Sequence, residues 1–129
     1  MFSLKKETDY ALQLLKSIPK DKKFCVSLKD VAKETGVSFL FLQKIARKLR
    51  LAGLLKAVQG VNGGYSLSRP ANQISLKDII VAIEGGCAVL PCYCEKNKCA
   101  SAKCVLKSKM KKINEDILKI LSKTKLSQF

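Results

Sequence analysis

Five cysteines fall within 18 residues of a 129-residue chain that contains no histidine: Cys87, Cys92, Cys94, Cys99 and Cys104. A sixth, Cys25, stands far upstream between Phe24 and Val26, where packing as a small apolar side chain accounts for it. Successive cysteines of the cluster are separated by four, one, four and four residues. Thiolates are soft donors suited to iron–sulfur clusters or to zinc. Zinc sites usually show two C-x2–4-C knuckles set some distance apart, and this spacing provides no such pair. Lys96, Lys98 and Lys103 lie among the cysteines, favouring the thiolate form and offsetting the charge of an anionic cluster. The intervening residues are mainly small and charged, so simple packing suits this loop poorly; a thiol–disulfide pair is the remaining alternative. Secreted proteins spread cysteines to staple distant segments, whereas these are gathered in one place. Met1-Phe2-Ser3-Leu4-Lys5-Lys6, followed by Glu7 and Asp9, lacks the apolar core of an export signal, so a cytoplasmic location is expected.

Charge gives the second chemical signal. Twenty-five Lys and Arg against ten Asp and Glu leave +15 at pH 7, spread along the chain. A folded domain with that field attracts polyanions, and each phosphate it neutralises releases condensed counterions. A lysine-rich solvated surface is the plainer explanation, so charge alone does not establish nucleic-acid binding. No apolar run approaches the roughly 18–20 residues that span a bilayer, so no membrane partner is expected. Without histidine, a phosphate-loop motif or a recognisable acid–base pair, the chain is not expected to be an enzyme.

The elements that position these residues follow from the spacing of apolar side chains. Leu4 to Ile18 reads as an amphipathic helix ending at Pro19. Ser27-Leu28-Lys29-Asp30 is a helix start, with Ser27 as N-cap and Gly36 as the stop. Ser38 opens a third helix running to about Ala52, with Phe39, Leu42, Ile45, Ala46 and Leu49 on one side. Gln43, Lys44, Arg47, Lys48 and Arg50 lie around the other side. This pair is a helix-turn-helix candidate. Leu54–Val58 and Tyr65–Ser68 then read as strands around Gln59-Gly60-Val61-Asn62-Gly63-Gly64, the order of a winged helix. Ser75-Leu76-Lys77-Asp78 repeats the earlier start and opens a helix ending near Gly85-Gly86. From Val105 to about Ser122, Leu106, Met110, Ile113, Ile117 and Ile120 recur at four, three, four and three, a coiled-coil seam. Its partner is expected to be the same helix of a second copy, the alternative being the first helix of its own domain. The expected fold is mainly α with a small β-hairpin wing: a winged helix-turn-helix plus a long C-terminal dimerisation helix. The expected divisions are a DNA-binding domain at 1–86, a cluster-binding loop at 87–104 and a dimerisation helix with tail at 105–129.

Several of these stretches resemble the IscR/NsrR family of bacterial iron–sulfur regulators. They are Phe41-Leu42, Leu49-Arg50-Leu51-Ala52-Gly53-Leu54, Gly63-Gly64-Tyr65-Ser66-Leu67-Ser68-Arg69, Ile74 to Gly85, and Cys104-Val105-Leu106-Lys107. The resemblance covers essentially the whole chain. It implies a homodimer crossed by the last helix, and repression or activation at a palindromic site in double-stranded promoter DNA. It also implies a 2Fe–2S or 4Fe–4S cluster held by three loop cysteines and one further ligand. By that likeness Cys99 and Cys104 are the second and third ligands. Cys92 keeps the family's overall span and Cys94 gives even spacing, so the first ligand stays open between them. Thr8-Asp9-Tyr10-Ala11-Leu12 matches the stretch that supplies the fourth ligand from the other subunit in the nitric-oxide-sensing branch, which points to Asp9. The surplus cysteine and an ordinary first-turn carboxylate role compete with that assignment.

The likeness also places the third helix in the major groove. Ser38, Phe41, Gln43 and Lys44 then approach bases or phosphates, with Arg47 and Arg50 further along and Gln59, Gly60, Asn62, Gly63 and Gly64 forming the wing tip. Gln pairs with adenine, while Lys and Arg serve guanine or phosphate. Two departures stand out: Gln59-Gly60 replaces the common Arg-Gly of the wing, and Gln43 stands where some members have Glu, which implies an altered operator. The implied activity is that of a transcription regulator, a repressor, controlled through its cluster by iron–sulfur status, redox state or nitric oxide. The rival readings are a cluster-free thiol-redox regulator and an iron–sulfur carrier whose basic charge serves an acidic protein.

Overall fold

The computed structural model describes residues 3–21, 24–88 and 104–129. Among them the elements run α1 (Lys6–Ser17), α2 (Leu28–Thr35), α3 (Phe39–Leu51), β1 (Leu55–Val58), β2 (Gly64–Leu67), α4 (Leu76–Glu84) and α5 (Lys107–Lys123). Short 3-10 turns occupy Ala71–Gln73 and Leu126–Gln128. The expected fold class is what the chain adopts: a helix-turn-helix, a hairpin wing and a long last helix.

Capping chemistry sets the helix starts. The Ser27 hydroxyl accepts from the Lys29 N–H at 3.2 Å, and Gly36 ends α2 in the left-handed conformation at φ 73°. The repeated tetrapeptide behaves differently at α4, where it closes a full capping box. Asp78 N–H donates to the Ser75 hydroxyl at 3.1 Å, and the Asp78 carboxylate accepts from the Ser75 N–H at 2.9 Å. Burial pushes the Asp78 carboxyl upward. The Ser75 hydrogen bonds, with Arg69 and Lys125 nearby, outweigh that and hold it below the usual carboxylate range.

One apolar cluster joins Leu14 and Leu15 of α1, Val31 of α2, Leu42, Ile45 and Leu49 of α3, Leu54, Ile74, and Ile79 and Ile83 of α4. Burying each such side chain contributes roughly 1.5–3 kcal/mol. Helix α3 sits centrally, packing on α1, α2, α4 and β1. Leu126 is 5% exposed and joins the same cluster, although residues 127–129 beyond it are exposed. It is pinned by backbone bonds from Leu76 N–H to Thr124 O and from Leu126 N–H to Ile74 O, both 2.8 Å.

The hairpin is antiparallel, pairing Leu55 with Leu67 and Val58 with Gly64. Val26 adds a further bridge on the outer edge of β2, exchanging bonds of 3.0 and 2.9 Å with Tyr65. Helix α5 packs on α4 and buries Asn114. The expected seam is not consumed within the chain: Ile113 is 46% and Ile120 64% exposed, with Met110 and Ile117 half-buried. Among the described residues no helix is long and apolar enough to cross a membrane.

Candidate nucleic-acid interface

Helix α3 presents two faces at 3.6-residue spacing. Leu42, Ile45, Ala46 and Leu49 point into the core, and Leu40, Gln43, Lys44, Arg47, Arg50 and Leu51 form a continuous exposed stripe. Gln43, Arg47 and Arg50 are therefore brought together as the sequence led one to expect. No ion pair among the described residues engages Arg47 or Arg50. Ser38 stands exposed immediately before α3 and makes no side-chain cap bond. Phe41 is half-buried and packs edge-on against Tyr10 of α1, with ring centroids 5.5 Å apart, and its face lies 5.9 Å from the Lys44 ammonium. Its closest described role is thus to seat α3 on α1.

Lys44 is also tied from below. Its ammonium lies 3.3 Å from one Glu7 oxygen while that of Lys48 lies 2.9 Å from the other. Hydrogen bonds from Lys48 and then Lys44 hold the Glu7 carboxyl below its usual range. Lys48 donates as well to the Ile83 carbonyl at 3.2 Å. One ammonium on α3 thereby engages both the start of α1 and the end of α4. A second link joins the same two ends: the carboxylate of Glu84 accepts from the buried Thr8 hydroxyl at 2.7 Å and from the Lys5 N–H at 3.1 Å. No sequence pattern announces the links among Glu7, Thr8, Lys48 and Glu84, because partners 35 to 79 residues apart leave no local pattern. Between α1 and the start of α3 lies an open groove of about 530 Å³, lined by Tyr10, Gln13, Gly36, Ser38, Leu40, Phe41 and Lys44 among others.

At the wing tip Gln59, Gly60, Val61 and Asn62 are exposed, and Val61 is fully so. The Gly63 N–H closes the turn on the Gly60 carbonyl at 3.0 Å. A Cβ on Gly63 would overlap the Val58 carbonyl oxygen, and one on Gly64 would overlap that of Val26. Both positions need glycine because backbone passes there, not only because a turn bends. Cys25 is not a core residue: it is half-buried, and its thiol donates to the Asn62 carbonyl at 2.9 Å.

Of the candidate metal ligands, Cys92, Cys94 and Cys99 lie outside the described residues. Cys104 is exposed just ahead of α5. Asp9 is exposed on α1, where its carboxylate accepts from the Gln13 amide at 3.1 Å. Among the described residues no three Cys, Asp or Glu side chains gather to hold an ion. The donor set fits a cluster by its chemistry, since the segment from Cys87 to Cys104 carries five cysteines, whose sulfurs are soft donors.

The model of the Rrf2 family, described as iron-dependent transcriptional regulators, matches residues 4–129. The transcriptional regulator NsrR of Oceanobacillus iheyensis is 31% identical over 123 residues, covering 92% of this chain and 83% of that protein. The oxidized form of Staphylococcus aureus CymR superposes with a TM-score of 0.71 at 31% identity, over 97% of this chain and 93% of that one. IscR of T. potens gives a TM-score of 0.71 at 28% identity, over 98% and 84%. Against other curated relatives the chain spans about half of their length, between 38% and 58%. With its winged-helix order, exposed basic helix face and near-complete match to the family model, the chain belongs to the Rrf2 family of iron-dependent transcriptional regulators.

Proposed function

We propose that this chain is a homodimeric, cytoplasmic, DNA-binding transcription regulator, a repressor, whose hold on promoter DNA is set by an iron–sulfur cluster of the 2Fe–2S or 4Fe–4S type. The observation that carries the DNA reading is the exposed α3 stripe, a cationic and amide-bearing face mounted on a buried apolar one. Gln43 is suited to adenine, and Arg47 and Arg50 to guanine or phosphate. Ser38 and Lys44 sit where α3 begins, and Gln59, Gly60, Asn62, Gly63 and Gly64 lie along the adjacent backbone. The exposed seam of α5 supports pairing of two copies, which spaces two reading heads along a palindrome. In this division residues 1–86 read DNA, 87–104 hold the cluster and 105–129 pair the subunits.

The cluster ligands in this reading are Cys99, Cys104, one of Cys92 and Cys94, and Asp9 from the second copy or the surplus cysteine. When bound, that group supplies iron whose state responds to iron–sulfur supply, oxidants or nitric oxide. The chain's own contribution to switching is the junction at Ile83 and Glu84. These residues sit directly ahead of the loop and are hydrogen-bonded to Lys48 of α3 and to the start of α1. A change in the path of the loop therefore bears on the reading helix through short, named contacts. A ligand shifts such an equilibrium only by its differential affinity for the two arrangements.

Anaerobic purification followed by absorbance, iron and sulfide analysis, and footprinting on the DNA upstream of its own coding region, tests this reading. Visible absorbance with a protected promoter segment is expected, both altered in Cys99→Ser and Cys104→Ser. A colourless protein with stoichiometric zinc, or serine variants with unchanged iron and footprint, overturns the cluster. One observation favours a second reading, a cluster-free thiol-redox regulator: the Cys25 thiol is bonded to the wing itself. That reading requires footprinting to survive iron removal and to respond to oxidant through Cys25.

A further inference from the structure

Leu40 is the second residue of α3 and is 74% exposed, on the same stripe as Gln43, Lys44, Arg47 and Arg50. It contributes nothing to the buried cluster. A bare leucine among a glutamine and cations, on a face otherwise suited to the polar edge of DNA, has one apolar counterpart in the major groove: the C5-methyl group of thymine. We propose that Leu40 is a specificity-determining residue that reads a thymine methyl, resting on the DNA-binding role already proposed for α3. Residues 40 and 43 lie three apart on the helix, one above the other on the stripe, about 4.5 Å apart along the axis. Base pairs stack at about 3.4 Å, so the two side chains address neighbouring pairs. With Gln43 on adenine N6 and N7, the pair Leu40–Gln43 selects two adjacent A·T pairs in each half-site, one read by amide and one by methyl. The position is set by the helix rather than by a loop. Leu42 and Ile45 fix the rotation of α3 from the core side, and Phe41 wedges its first turns against Tyr10.

Selection from a random duplex library with the full chain, wild type and Leu40→Ala, tests the assignment. The wild type is expected to enrich a thymine at one fixed position per half-site, next to the adenine that Gln43→Ala loses. Leu40→Ala is expected to lose that thymine preference alone, with an unchanged circular dichroism spectrum because the side chain is exposed. On the selected duplex, replacing that thymine by deoxyuridine removes only the methyl group. Wild-type affinity is expected to fall about fourfold, the factor for one buried methyl, and Leu40→Ala affinity not at all. Equal sensitivity of both proteins to deoxyuridine, or insensitivity of the wild type, overturns the role of Leu40 while leaving DNA binding intact. Enrichment of no sequence by the wild type overturns the DNA reading itself, and this proposal with it.

Discussion

Replacement of Gly64 by alanine is expected to be the most damaging single methyl addition in the wing, and its size follows from the backbone around it. Gly64 has φ +155°, and its missing Cβ position overlaps the carbonyl oxygen of Val26 and lies 2.6 Å from that carbonyl carbon. Neither atom can rotate away as a flexible side chain would. Relief requires the Val26 segment to withdraw, which breaks the two bonds of 3.0 and 2.9 Å that it exchanges with Tyr65. Two hydrogen bonds contribute about 0.5–1.5 kcal/mol each, and the unfavourable φ adds about 1–2 kcal/mol, so the loss is about 2–5 kcal/mol. Gly36 is the internal control: its φ is +73° and nothing lies within 4 Å of an added Cβ. Only the conformational cost of about 1 kcal/mol applies there. For a chain of this length about 1 kcal/mol moves Tm by about 4 °C, giving falls of about 8–20 °C for Gly64→Ala and about 4 °C for Gly36→Ala. Thermal unfolding followed by circular dichroism at one fixed protein concentration separates them, because self-association shifts Tm with concentration. If Gly64→Ala loses no more than Gly36→Ala, Val26 is not held against the wing as described and the reasoning fails.

Glu7→Gln should remove a pH dependence of known sign. The Glu7 carboxyl is held low by Lys48 and Lys44, so its stabilising contribution is complete above about pH 4.5 and is lost as pH falls through its lowered value. The variant should therefore be less stable than wild type near neutrality and converge with it in acid; convergence on raising the pH would contradict the pairing. The same substitution releases Lys44, and a DNA salt slope steeper by about one is expected if that lysine then reaches a phosphate. Ser66 is 1% exposed and its hydroxyl has no partner among the described residues, so Ser66→Ala is expected to match or exceed wild-type stability by up to about 1 kcal/mol in urea unfolding, and a clear loss would show that the hydroxyl is bonded. Ile113→Glu places two carboxylates in the α5 seam of a pair of copies. The proposed pairing through α5 predicts that this variant sediments as a monomer and the wild type as a dimer, with helical content retained in both.

What was legible in the sequence was whatever chemistry is local. Ser27 with Gly36, and Ser75 with Gly85, mark helix ends because a hydroxyl must meet an N–H two or three residues away and a left-handed residue must follow. The stripe of Gln43, Arg47 and Arg50 was readable because helical periodicity separates it from Leu42, Ile45 and Leu49. Lys44 and Phe41 were placed on the right helix, but their attachments to Glu7 and Tyr10 were not visible, since nothing local announces a partner on α1. Leu126 reads as tail in the sequence because one apolar residue in a short polar segment has no period. Only the bond from its N–H to the Ile74 carbonyl, beside that from Leu76 to Thr124, reveals that it closes the core. The apolar neighbours of Cys25 point to packing, yet Phe24 is 62% exposed and the thiol turns to the wing. Alternation along an edge strand points successive side chains to opposite faces, and apolar neighbours then say nothing about where the middle one goes.

The orientation of α3 depends on a division of labour between packing and charge. Its depth and rotation are fixed by Leu42, Ile45, Ala46 and Leu49, whose burial outweighs any surface ion pair several-fold. The contacts of Lys48 with Glu7 and with the Ile83 carbonyl add little energy beside that, being partly exposed. They add direction instead. A slide of α3 along its axis separates the ammonium from acceptors on two different helices, whereas a movement shared by α1, the end of α4 and α3 preserves both contacts. The Thr8 and Lys5 bonds to Glu84 oppose separation of α1 from α4 in the same way. The geometry therefore favours α1, α3 and the end of α4 moving as one block, and the loop that starts at Gly85 is joined to that block at its edge. In the proposed regulation, control exerted through residues 87–104 then acts by turning the whole reading head relative to that of a second copy rather than by deforming the recognition helix.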